Sequence, residues 1–83
     1  MKLPRDVGGE DLAKRLGRLG YEVTRQTGSH MRLVRTGETE HRVTIPAHDP
    51  LKVGTLNSIL KDVAAHNGIG RDELMRLLWE SGD

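Results

Sequence analysis

The chain contains no cysteine and no phenylalanine, and it has only one tyrosine and one tryptophan. Without cysteine it can form neither a disulfide framework nor a thiolate metal site, which fits a reducing compartment. Its core has to be built from Leu, Ile, Val and Ala side chains. No apolar run reaches the roughly 18 residues of a membrane span, and the first residues lack the apolar segment of a signal peptide. We therefore expect one small domain over residues 1–83, located in the cytoplasm and not in a membrane.

The charges are unevenly distributed, although the net charge is only +1. Residues 13–36 carry six Lys or Arg and one Glu, whereas residues 37–83 carry five Lys or Arg and eight Asp or Glu. This asymmetry suggests that the first region binds a polyanion and that the second makes a different kind of contact. A scattered, solvated surface charge is the alternative.

The apolar periodicity predicts three helices. Leu12, Leu16 and Leu19 lie at i, i+4 and i+7, which predicts a helix over Gly9–Leu19 that ends at Gly20. A second stripe predicts a helix from about Gly54-Thr55 to just before Asn67-Gly68, and a short last helix covers roughly Asp72–Trp79. The second stripe consists of Leu56, Ile59, Leu60, Val63 and Ala64.

Between the first two helices the period changes to two, which predicts three short strands in an antiparallel meander. Tyr21, Val23 and Arg25 share one face of the first strand, and the turn glycine Gly28 is expected to have a positive φ. The expected fold is α+β, in the order α-β-β-β-α with a short extra C-terminal helix, and with the helices packed on one face. The inner face should carry Tyr21, Val23, Met31, Leu33, Val43 and Ile45, and the outer face His30, Arg32, Arg42 and Thr44.

The spacing of the four histidines argues against a metal site. No two of them lie at i, i+3 or i+4 on a predicted helix, and nothing resembles a zinc signature. A serine hydrolase built on Ser29 and His30 is also disfavoured, because neighbouring side chains of an extended chain point to opposite faces. We expect neither a metal nor another cofactor.

A ribonuclease is easier to build from these residues. Cleavage of RNA through its own 2′-hydroxyl needs a base, cations for the phosphate and a proton for the leaving oxygen, and histidine suits the first task. His30 is the candidate base, and His48 is a candidate second proton carrier or phosphate ligand. The candidate phosphate ligands are Arg25, Arg32, Lys52 and the amides around Gly54 and Thr55. Two other classes stay open: an RNA-binding module without catalysis and a protein-interaction domain.

Four segments together resemble the HicA (YcfA-like) toxins. They are Gly20-Tyr21-Glu22-Val23, Arg25 to His30, Val43 to His48 and Gly54 to Lys61, and the likeness extends from Leu3-Pro4-Arg5 to the closing helix. The chain departs from many members at Met31, where they carry a second histidine.

The resemblance implies a fold similar to a double-stranded-RNA-binding domain. It also implies a metal-independent mRNA interferase of a type II toxin–antitoxin system, in which His30 of the Gly28-Ser29-His30 motif is the catalytic residue. The implied partners are mRNA and a HicB-type antitoxin that binds the toxin directly and blocks this histidine. The basic region would then accept either RNA or an acidic antitoxin surface.

Overall fold

The computed structural model describes residues 6–37 and 39–80, so the Leu3-Pro4-Arg5 lead-in of the resemblance lies outside it. Helix, three strands and two further helices follow one another, which confirms the predicted α+β order. The elements are α1 (Gly9–Leu16), a 3-10 turn (Gly17–Leu19), β1 (Tyr21–Thr27), β2 (His30–Arg35), β3 (His41–Pro46), α2 (Val53–Asn67) and α3 (Arg71–Trp79).

The first helix is shorter than predicted. It is α-helical only to Leu16, and Gly17–Leu19 continue it as a 3-10 turn. Gly20 then adopts a left-handed conformation with φ of 93°, and its amide bonds the carbonyl of Gly17. Glycine accepts this conformation without the steric penalty of a Cβ, so the predicted stop at Gly20 is confirmed although the last turn tightens before it.

The three strands form one antiparallel sheet in the order β1-β2-β3. Its inner face is buried against the helices and carries the predicted residues Tyr21, Met31, Leu33, Val43 and Ile45. Val23 is the exception, because it lies on the edge strand β1 and is 46% exposed. Met31 is 3% exposed, so the position at which many HicA toxins carry a second histidine belongs to the core here.

A β-bulge in β1 overturns the predicted direction of Arg25. The register shifts between Val23 and Arg25, so that Arg25 pairs with Arg32 and Gln26 pairs with buried Met31. The extra residue is Thr24, whose hydroxyl donates to the carbonyl of Arg32. A bulge places one additional residue in the strand and thereby exchanges the faces of all residues after it. Arg25 therefore lies on the outer face instead of sharing a face with Tyr21.

Helices α2 and α3 complete the core on the inner side of the sheet. The second helix begins at Val53, slightly before the predicted start, and ends at Gly68 with φ of 65°. Ile69 is partly buried and packs against the core. The side chains that are least exposed are Leu12, Leu16, Leu33, Ile45, Leu60, Val63, Leu74, Met75 and Leu78.

Arg15 of α1 and Arg18 of the following 3-10 turn hold the end of α3. Arg15 and Arg18 both donate to the carbonyl oxygen of Leu78, at 2.8 and 3.0 Å, and Arg15 also lies over the Trp79 ring. Cations at a helix C-terminus satisfy carbonyls that have no partner within the helix. These two charges of the basic region are therefore committed to the packing of α1 on α3.

A polar cluster ties β1, β3 and α2 together at the end of the sheet remote from His30. The Tyr21 hydroxyl lies 2.6 Å from His41 Nδ1, and Asn67 Nδ2 donates to the same hydroxyl at 3.2 Å. His41 Nε2 lies 3.3 Å from Asp62 Oδ2, and its ring stacks on His66 with centroids 4.1 Å apart. Burial raises the pKa of Tyr21, and the hydrogen bond from Asn67 partly opposes that effect. His41 and His66 are therefore part of this polar cluster.

Candidate functional site

His30 opens strand β2 at one end of the sheet. It is exposed on the outer face, where it pairs with Thr27 of β1 and with Pro46 of β3. The amide of Ala47 bonds the carbonyl of Ser29 at 2.9 Å, so the pairing of β2 with β3 continues one step beyond the strands. The backbone on both sides of His30 is therefore held, while its imidazole remains accessible.

The Ser29 hydroxyl lies 3.0 Å from His30 Nδ1, which corrects the prediction that these two side chains point apart. Ser29 belongs to the turn before β2 and not to the strand, so the alternation of an extended chain does not apply to it. If Nδ1 carries the proton and donates it to Ser29, Nε2 is left with a free lone pair. Ser29 can in this way fix the tautomer of a histidine base.

The same turn corrects the prediction for Gly28. Among the described residues only Gly20 and Gly68 are glycines with a positive φ. A Cβ placed on Gly28 would meet no atom within 4 Å. The turn between Thr27 and His30 is closed without a left-handed residue, so neither φ nor crowding requires glycine at this position.

A shallow depression of about 270 Å³ lies on the outer face of the sheet beside His30, and we call it the sheet-face depression. Its lining residues are Arg25, Thr27, His30, Arg32 and Thr44. The bulge at Thr24 brings Arg25 to this surface, next to its pairing partner Arg32. Two guanidinium groups and a histidine thus share one exposed polar face, as a phosphate-binding site requires.

A larger groove of about 930 Å³ lies on the other side of His30, between the edge strand β3 and helix α2. We call it the β3–α2 groove. Among its residues are Gly54 and Thr55 from the first turn of α2, a turn that no side-chain cap satisfies. Its full lining is His30, Arg42, Val43, Thr44, Pro46, Gly54, Thr55, Ser58, Ile59, Lys61, Asp62 and Ala65.

Two of the predicted site residues line neither depression. Lys52 is the N-cap residue of α2, and His48 lies in the loop before it; both are exposed. The carbonyl of His48 accepts a bond from the amide of Gly9, where a side chain would collide with the Pro46 carbonyl oxygen. The structure therefore fixes the backbone of this loop against α1 without placing the His48 side chain beside His30.

Sequence reasoning did not single out Lys61 and Ser58 as groove residues. Gly54, Ser58, Lys61 and Ala65 follow one another at i, i+4, i+7 and i+11, on the face of α2 beside its buried stripe. That helical spacing was available in the sequence. The sequence does not show that this face of α2 lies next to the open edge of β3.

Residues 6–37 and 39–80 contain neither a candidate membrane span nor a candidate metal cluster. In this part of the chain no helix has both the length and the apolar character that crossing a membrane demands. No group of three or more His, Asp or Glu side chains in it has an arrangement that could hold a metal ion.

The sequence of this small α+β domain matches the model of a known protein family. Residues 9–64 match the family model described as "HicA toxin of bacterial toxin-antitoxin", that is, the toxin component of such a pair. No curated protein and no solved structure shows a match. Because the family model covers more than half of the chain, the protein belongs to the HicA toxin family, and membership implies an antitoxin partner.

Proposed function

We propose that this toxin is a metal-independent endoribonuclease that cleaves mRNA in the cytoplasm, with His30 as the catalytic base. The proposal rests on the environment of His30. Its imidazole is accessible, the Ser29 hydroxyl contacts its Nδ1, and arginines lie on the same face of the sheet. Membership of the HicA toxin family supports the same reading.

In the proposed reaction, Nε2 of neutral His30 accepts the proton of a ribose 2′-hydroxyl. The 2′-oxygen then attacks the adjacent phosphorus, the bond from phosphorus to the 5′-oxygen breaks, and a 2′,3′-cyclic phosphate forms. The leaving 5′-oxygen takes a proton from water or from a second group. The RNA supplies both nucleophile and leaving group, so the protein's part is to position the base and to stabilise charge.

Arg25 and Arg32 are the proposed ligands of the scissile phosphate. Both line the sheet-face depression together with His30, and guanidinium groups bind phosphate oxygens bidentately. The unbonded amides at Gly54 and Thr55 offer a second anion contact at the opposite side of His30. Lys52 and His48 keep only a secondary role as phosphate contacts or proton carriers, since neither lines these surfaces.

A HicB-type antitoxin would neutralise the toxin by covering His30. The outer sheet face is basic through Arg25 and Arg32, so an acidic antitoxin surface would compete with RNA for the same cations. Binding of antitoxin and of RNA should then exclude each other. A ternary complex that leaves His30 open to RNA would contradict this part of the proposal.

The test of the activity is the variant His30→Ala. It should lose RNA cleavage and growth arrest while its circular dichroism spectrum stays that of the wild type, because His30 is exposed and no buried contact is removed. His48→Ala is the matched control: another exposed histidine, which should retain cleavage within a fewfold of wild type. Retained cleavage by His30→Ala would refute the mechanism. Salt-dependent RNA binding by the wild type without new RNA termini would favour a non-catalytic RNA-binding module.

A further inference from the structure

We propose that the β3–α2 groove binds the single-stranded RNA segment that continues from the phosphodiester held at His30. The inference rests on the proposed ribonuclease function and extends it, because it assigns a second half to the RNA site. The first half is the sheet-face depression with Arg25 and Arg32. The second half lies on the far side of His30 and is defined by Arg42 on β3 and Lys61 on α2.

Continuity is the first argument. His30 lines both the sheet-face depression and the β3–α2 groove, and so does its neighbour Thr44. An RNA strand whose scissile phosphate lies at His30 has to leave that point in two directions. The sheet face provides one path, and the groove, open to solvent along β3, provides the other.

The charges of the groove are the second argument. Lys61 is exposed on the α2 wall and makes no hydrogen bond or ion pair with any residue in the described part of the chain. Arg42 on the opposite wall contacts Glu40 through Nε, and its remaining guanidinium N–H groups are left for another acceptor. The groove's carboxylate, Asp62, lies 3.3 Å from His41 Nε2. Cations on both walls of an open groove form the electrostatic track that a single strand needs.

The lining also determines which parts of the RNA the groove would contact. The lining combines hydroxyl groups of Thr44, Thr55 and Ser58 with apolar surface from Val43 and Ile59. His30, at the end, has the only aromatic ring in it. Without aromatic platforms the bases gain little from stacking, so phosphate contacts dominate the affinity of this half. Binding in the groove should be strongly salt-dependent and tolerant of sequence.

A strand of a partner protein is the competing occupant, since β3 is an edge strand whose outer side has no strand beside it among the described residues. The unpaired cation at Lys61 and the continuity with His30 favour RNA. The two occupants are separated by the experiment below.

The test compares two substrates on two charge-removing variants. Lys61→Gln removes the groove cation, and Arg76→Gln removes an exposed cation of α3 that lies outside residues 13–36 and lines neither half of the proposed site. One substrate is a mixture of dinucleoside phosphates with all base combinations, which reaches only His30. The other is a mixed-sequence, fluorescein-labelled oligonucleotide of about ten nucleotides, long enough to occupy both halves.

Lys61→Gln should lower kcat/KM for the oligonucleotide by about three- to tenfold and leave dinucleotide cleavage unchanged. It should also reduce the slope of log binding constant against log salt by about 0.7, the value for one lost phosphate contact on a single strand. Arg76→Gln should change neither quantity. Unchanged oligonucleotide kinetics, or an equal loss on both substrates, would overturn the proposal, as would a variant that binds RNA normally and only its antitoxin weakly.

Failure of the proposed function gives a different result. In that case the wild type would cleave neither substrate. The fluorescence anisotropy of the labelled oligonucleotide, titrated with wild type, Lys61→Gln and Arg76→Gln, would still decide whether Lys61 contacts RNA.

Discussion

The contact between Ser29 and His30 assigns a role to each nitrogen of one imidazole. Ser29 Oγ lies 3.0 Å from Nδ1, so a proton on Nδ1 has an acceptor and Nε2 is free to accept the proton of the 2′-hydroxyl. Ser29 touches no reacting atom in this scheme. It is a positioning residue that acts through His30, and Thr27, whose hydroxyl approaches the His30 carbonyl at 3.4 Å, supports the same turn.

Ser29→Ala should therefore lower the rate of RNA cleavage by about two- to tenfold, equivalent to the roughly 0.5–1.5 kcal/mol of one hydrogen bond. Ser29→Thr keeps a hydroxyl at this position and should restore most of the rate. The ¹⁵N shifts of the His30 ring report the tautomer directly, and the Nδ1–H form should become less populated in Ser29→Ala. An unchanged tautomer ratio together with a reduced rate would show that Ser29 acts only through the backbone of the turn.

The sequence singles out His30 as a candidate base but does not predict its contact with Ser29. The residue type, the turn before it and the cations near it were all visible in the chain. Whether the side chains of Ser29 and His30 lie on the same side of the chain depends on where the turn ends and the strand begins. Such a boundary is a matter of one residue, and sequence patterns do not resolve it.

The element that most alters the expected site is β1, because its bulge decides which of its side chains lie on the outer face of the sheet. Strict alternation puts Arg25 on the same face as Tyr21 and Gln26 on the opposite face. The register shift at Thr24 reverses both: Arg25 pairs with Arg32 on the outer face, and Gln26 pairs with Met31. The two-residue alternation predicts the faces of β1 correctly as far as the bulge. Nothing in Val23-Thr24-Arg25 indicates an additional residue.

Arg25→Ala should consequently weaken RNA binding, with a salt slope reduced by about 0.7, whereas Gln26→Ala should leave the slope unchanged. Both residues are exposed, so neither substitution removes a buried side chain. The comparison is best made in the His30→Ala background, in which the RNA is not consumed. If Arg25→Ala binds RNA with the wild-type salt dependence, Arg25 is not a phosphate ligand.

Elements also divide the basic region into two groups. Arg15 and Arg18 hold the carbonyl of Leu78, and Arg35 donates to the carbonyl of Leu19 at 2.8 Å. Half of the six cations in residues 13–36 are thus hydrogen-bonded to main-chain carbonyls. The charge count predicts that this region is basic. Packing determines which of its cationic side chains are available to a polyanion.

In the whole molecule, the proposed catalytic histidine and the polar cluster around Tyr21 lie at opposite ends of the same strands. His30 pairs with Pro46 at one end of β2 and β3, and Arg35 pairs with His41 at the other. The hydrogen bonds around Tyr21 join β1, β3 and α2 at that second end. Periodicity predicted the layers and their order, because each apolar stripe has to be buried. It did not predict this cluster, whose members are far apart in the chain and come together only when the sheet and α2 pack.

Tyr21 gives the molecule a stability that depends on alkaline pH. Asn67 donates to the phenol oxygen, so the phenol proton goes to His41 Nδ1, and His41 Nε2–H faces Asp62. Burial raises the pKa of Tyr21 in the folded protein above its ordinary value of 10.0. Below about pH 10 both folded and unfolded chains keep the proton, and the contribution is fully present. Above that pH the unfolded chain loses its proton first, so the free energy of unfolding falls until the folded protein also ionises.

Tyr21→Phe should therefore cost about 1–2 kcal/mol near neutral pH, since the hydroxyl and its partners lose their hydrogen bonds. The difference in the free energy of unfolding between wild type and variant should stay constant up to about pH 9. It should shrink above pH 10, where the unfolded wild type ionises its phenol before the folded wild type does. Unfolding by urea can be followed through Trp79, the single tryptophan, and tyrosinate absorbance reports Tyr21 alone because it is the single tyrosine. A pH-independent difference, or ionisation of Tyr21 at its ordinary pKa, would show that the cluster does not shield the phenol.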